Sequence, residues 1–130
     1  FLLAACKKMN CTVYGVDSDV LKPSVVPPVG VLLRVALGLY ESVSHISFTP
    51  GVTPVKSNYD RVIFTNFTGA GAWDEAAHRK AKATLIGCTN LGGLLYVSLM
   101  PNQVDEKYDA VWAEGAIGTW PNRAFLLRRE

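Results

Sequence analysis

The sequence predicts an all-β fold: an antiparallel β-sandwich, jelly-roll-like, with at most one short helix near residues 73–80. Three observations predict it. Short apolar or alternating runs recur with turn residues between them roughly every ten residues, the spacing of sandwiches and barrels. Every residue of Leu94–Met100 except Ser98 is apolar, and Gly92-Gly93 and Pro101-Asn102 bound that run with turn chemistry. Long helical patterns alternating with strands, which would mark a doubly wound sheet, are missing.

The elements follow in order. Phe1–Cys6 is apolar and stands beside Lys7-Lys8; residues 1–9 are expected to form an N-terminal arm. Cys11–Val16 reads as a short strand closed by Asp17-Ser18-Asp19. Residues 22–30 carry Pro23, Pro27 and Pro28, which fix φ and remove backbone donors, so an extended, unpaired loop is expected. Val31–Tyr40 is assigned to a strand, although Val31, Val35 and Leu39 also share a helical face. Val43–Thr49 alternates with period two, and Asp60–Thr68 is a second strongly apolar strand. Asp74 and Glu75 suit the first turn of a short helix. Lys80-Ala81-Lys82-Ala83 then alternates into a strand ending at Cys88. Leu94–Met100 is the central strand, covered on both faces, with Phe64 and Trp112 expected as core neighbours. Tyr108–Ile117 and Arg123–Arg129 complete the set.

A length of 130 residues suits a single domain, 1–130, able to bury a core without metals or disulfides. The chain is 49% hydrophobic and 18% charged, which excludes disorder as its main state. A net charge of +2 gives no strong electrostatic case for a nucleic-acid partner. No run of apolar residues is long enough for a membrane span. Cys6, Cys11 and Cys88 are an odd set; one bridge with a free thiol, or three reduced thiols, both fit.

The run Arg79-Lys80-Ala81-Lys82-Ala83-Thr84-Leu85-Ile86-Gly87-Cys88-Thr89-Asn90-Leu91-Gly92-Gly93-Leu94-Leu95-Tyr96-Val97-Ser98-Leu99-Met100-Pro101 resembles a stretch in the jelly-roll coat proteins of picorna-like small RNA viruses. There a strand, a Gly-containing turn and an apolar strand ending in Pro pack side by side. The resemblance implies a viral capsid jelly roll or protruding domain: a structural protein of the virion, a homo-oligomer whose partners are itself or sister subunits and RNA. It covers residues 79–101 only. Family members carry further long strands after this point, and about thirty residues remain here.

The chemistry-bearing residues are sparse. Arg79, Lys80 and Lys82 cluster near Trp73, and Arg123, Arg128 and Arg129 cluster near Trp120. Cations interleaved with aromatic rings can hold single-stranded nucleic acid through phosphates and stacking, and a coat protein would use them for genome or intersubunit contact. A small hydrolase would need Cys88 as nucleophile, His78 as base and Asp74 or Asp109 as orienting acid, yet His78 sits in an Ala- and Lys-rich segment that reads as solvent-facing. Cys6 and Cys11 with Cys88 lack the second local pair of a zinc site. Asp17-Ser18-Asp19 lacks the Gly and Glu of a calcium loop. Gly69-Ala70-Gly71 lacks a dinucleotide fingerprint and is not read as part of a βαβ unit. Asn10-Cys11-Thr12 and Asn66-Phe67-Thr68 fit the glycosylation sequon. No metal or cofactor is expected. Self-assembly therefore leads as the function. The alternatives are a sandwich that binds single-stranded nucleic acid or glycan, and the small Cys/His hydrolase.

Overall fold

The computed structural model describes residues 14–16, 42–44, 48–53, 57–65, 68–101 and 103–130. The arm at 1–9, the Pro-rich loop at 22–30, the run 31–40, Cys6, Cys11, Asp17, Asp19 and both sequon asparagines lie outside these residues. The chain divides into two compact units, Phe1–Phe48 and Thr49–Glu130. In the first, β1 (Tyr14–Val16) pairs in parallel with β2 (Ser42–Ser44).

The second unit is mixed α/β, which corrects the all-β antiparallel sandwich. Its elements are β3 (Tyr59–Phe64), a 3-10 turn (Thr68–Ala72), α1 (Glu75–Gly87), β4 (Thr89–Ser98), a second 3-10 turn (Glu106–Tyr108), α2 (Asp109–Ala113), β5 (Gly118–Trp120) and β6 (Ala124–Arg128). The strands form a four-stranded sheet in the order β3-β4-β6-β5. β3 runs parallel to β4, whereas β6 is antiparallel to both β4 and β5. β3–α1–β4 is therefore a βαβ unit, the only way a helix-length connection returns a parallel neighbour.

Residues 79–87 are helix, so the first strand of the jelly-roll pattern read at 79–101 is replaced by all of α1 after its first turn. The Lys-Ala-Lys-Ala alternation misleads because Ala and Lys are strong helix formers and poor strand formers. The Asp74 carboxylate caps α1 by accepting from Ala77 N at 2.8 Å, and Glu75 lies in the first turn. Once nucleated, the helix propagates through the Ala-rich run at one hydrogen bond per residue. His78, Ala81 and Leu85 form its buried stripe. Residues 108–113 are also helical rather than a strand. Asp105 caps the preceding turn by accepting from Lys107 N at 3.1 Å, and α2 buries the adjacent pair Val111 and Trp112.

β4 is the interior strand expected, with a correction. Leu95, Val97 and Leu99 are buried beneath the helices, together with Phe64, Trp112, Phe125 and Leu127. Phe64 and Trp112 meet with ring centroids 6.2 Å apart. Leu94, Tyr96 and Ser98 are only half-buried, because α1 and α2 cover one face of the sheet and no described element of this unit covers the other. Gly92 and Gly93 are required where β4 begins its pairing. Gly92 has φ +76°, and a Cβ on Gly93 would stand 2.8 Å from Asp60 O. Here the β3–β4 register shifts between Tyr59 and Arg61, and only glycine admits the backbone so close.

Candidate functional site

The helix-covered side holds a buried aromatic cluster around His78. Contrary to the solvent-facing reading, His78 is 0% exposed. It stacks on Tyr108 with centroids 4.3 Å apart and meets the edge of Trp73 at 5.5 Å. Its Nδ1 accepts from Trp112 Nε1 at 3.2 Å, which places the proton of the neutral ring on Nε2. Among the described residues that buried Nε2 has no hydrogen-bond partner. Burial lowers the His78 pKa below its ordinary value, with Asp74 opposing the shift. The ring is thus a neutral core group, unavailable to a substrate.

The hydrolase constellation is not brought together. Cys88 is the C-cap of α1 and His78 lies in its first turn, so their separation along the axis is about 15 Å. Cys88 is buried, and desolvation raises its thiol pKa, which disfavours the thiolate. Asp74 is engaged as the helix cap, and Asp109 accepts three hydrogen bonds from Arg123, from Nε to both carboxylate oxygens and from Nη2 to Oδ1, the shortest at 2.6 Å.

Gly69-Ala70-Gly71 stands within a βαβ unit, which corrects the sequence reading, yet it makes no phosphate loop. The glycines lie in the 3-10 turn, and a Cβ on Gly71 would collide with Gln103 O. The α1 N-terminus is already met by the Asp74 carboxylate, with Glu75 beside it, so a further anion there is repelled.

Most of the basic positions singled out in the sequence are committed within the fold. Arg79 pairs with Glu114 at 3.1 Å and Glu75 at 3.6 Å. Lys82 Nζ donates to the carbonyls of Val111 and Glu114 at the end of α2. Arg129 Nη1 donates to Gly87 O and Thr89 O at the end of α1. Arg123 is held by Asp109, Lys80 lies exposed on α1, and Trp73 leans on His78.

Arg128 and Trp120 have a different setting. Direct neighbours across paired strands share a face. The register therefore puts Arg61, Leu94 and Arg128 in one row on the face away from the helices. The next row is Ile63, Tyr96, Leu126 and Gly118, and the third is Ser98, Ala124 and Trp120. Ile63 is 44% and Trp120 47% exposed. Arg61 and Arg128 are exposed as well. Tyr96 and Trp120 meet edge to face, centroids 6.2 Å apart at 62°.

Comparison with protein-family models finds no match, and comparison with curated proteins finds no significant relative.

Among the described residues no group of three or more His, Cys, Asp and Glu side chains converges as metal ligands would, and no helix is long and apolar enough to cross a membrane. Arg61 and Tyr96 were not singled out in the sequence. The available signal was the β3 alternation of Arg61 and Ile63 against Val62 and Phe64, but it names a face only once the pairing is known.

Proposed function

We propose that residues 49–130 bind single-stranded nucleic acid on the open face of the sheet. The observation that carries this reading is the Tyr96–Trp120 pair, set on a half-exposed apolar face with Arg61 and Arg128 beside it. Unstacked bases lie on aromatic rings, and guanidinium groups pair with phosphates. Among the described residues neither arginine has a carboxylate partner; Arg61 Nη1 donates only to the neighbouring Asp60 O. Two exposed cations with no carboxylate partner among the described residues favour a polyanion over a neutral glycan. They also oppose a second copy of the same face, which would bring like charges together.

The test is fluorescence anisotropy with a labelled, unstructured oligonucleotide of about 12 nucleotides, within the ~4–16 that a small β domain covers. Micromolar or tighter binding is expected, weakening with salt, and Trp120→Ala is expected to lose about 1–3 kcal/mol. Sedimentation of the free protein runs in parallel. Absence of binding together with concentration-dependent dimerisation that Trp120→Ala abolishes would transfer the face to self-association, the assembly function expected from the sequence. Salt-independent binding of a neutral oligosaccharide with no oligonucleotide binding would transfer it to glycans.

A further inference from the structure

We infer that this face separates the two parts of its ligand: the sugar–phosphate backbone lies along the Arg61–Leu94–Arg128 row, and only bases lie over Tyr96 and Trp120. The inference rests on the nucleic-acid reading and goes beyond it by fixing how the strand is laid down.

The register is the basis. Arg61 is opposite Leu94, and Leu94 is opposite Arg128. With strands about 4.8 Å apart, the two arginine Cα atoms are about 10 Å apart, on a line that crosses the strands. Tyr96 is two residues along β4, about 7 Å from this line, and the row of Trp120 is about 7 Å further. Those two rows hold Ile63, Tyr96, Leu126, Gly118, Ser98, Ala124 and Trp120, none of them charged. A backbone passing over them would leave its phosphates unpaired on apolar surface, whereas a backbone on the arginine row places its bases toward the rings. The described cations elsewhere cannot substitute. Arg79, Lys107 and Arg123 are in ion pairs, Lys82 and Arg129 are on helix-end carbonyls, and Lys80 is on α1, behind the sheet.

Charge and stacking should then separate in salt titrations. Each phosphate neutralised on a single strand contributes about −0.7 to the slope of log K against log salt. From about 50 to about 200 mM salt, two contacts contribute a loss of about sevenfold and one contact about 2.6-fold. Arg61→Ala and Arg128→Ala are each expected to reduce the measured loss by about 2.6-fold, and the double variant by about sevenfold. Trp120→Leu is expected to weaken binding tenfold or more at every salt concentration without changing the slope. The variants are compared with one another because Lys7, Lys8, Lys22, Arg34 and Lys56 lie outside the described residues and add a constant. A slope unaltered in the double arginine variant, or a slope altered by Trp120→Leu, overturns the separation while leaving binding itself standing. No binding by the unmodified chain at either salt concentration overturns the nucleic-acid reading and this inference with it.

Discussion

Leu94 and Leu95 are consecutive residues of the same strand, and truncating each to Ala separates a one-sided sheet from a sandwich. Leu95 is 1% exposed beneath the helices, while Leu94 is half-buried on the opposite face. Leu95→Ala removes three carbon atoms from water-free surroundings, about 2.4 kcal/mol at roughly 0.8 kcal/mol per methylene. The cavity left in the buried core adds to this, giving a total of about 3–5 kcal/mol. Leu94→Ala leaves a dent that solvent fills, so it costs about 1 kcal/mol or less. Urea unfolding, followed by far-UV circular dichroism and tryptophan fluorescence, reads both. With m about 1–3 kcal/mol/M, Leu95→Ala is expected to lower the midpoint by on the order of 1 M or more, and Leu94→Ala by a small fraction of that. Equal, large losses at both positions would mean that both faces are covered and would refute the open face. Equal, negligible losses would refute β4 as the core strand.

Three further outcomes are expected. Burial lowers the folded-state pKa of His78, so the unfolded chain takes up the proton first; stability is fully present above about pH 6.5 and falls as the pH drops below it. Unfolding curves between about pH 7.5 and 5 should show this slope, and His78→Phe should remove His78's share of it; an unchanged slope would refute the assignment. Asp109→Asn weakens the only carboxylate partner found for the buried Arg123 among the described residues, whose Nη1 is already unpartnered. It should cost about 2–4 kcal/mol in the same urea assay, more than an exposed pair is worth. Asp74→Ala removes the α1 cap and should cost about 1 kcal/mol, against a few tenths for Asp74→Gly.

The sequence by itself located the strongest strands, because their signal is local. The apolar run Leu94–Met100 lies within and just beyond β4, Asp60–Thr68 overlaps β3 from its second residue but runs past its end into the 3-10 turn, and Arg123–Arg129 contains β6. It also placed Asp74 and Glu75 at the start of a short helix, a local signal of acidic residues before an Ala-rich run; in the structure Asp74 is the N-cap and Glu75 the first helical residue. The length of α1 was misread because a four-residue alternation of Lys and Ala fits period 2 as well as a helix. The helix wins once Ala81 and Leu85 join His78 on one buried stripe, which is a matter of packing. Strand direction was likewise outside local pattern: the parallel pairing of β3 with β4 follows from α1 bridging them. The site divides on the same line. Arg128 and Arg129 looked equivalent as neighbours in a basic cluster. Successive side chains on a strand point to opposite faces, so Arg128 is exposed on the open sheet while Arg129 turns to the carbonyls ending α1. Arg61, Tyr96 and Trp120 stand far apart in the chain, and only the register of β3, β4, β6 and β5 places them on one surface.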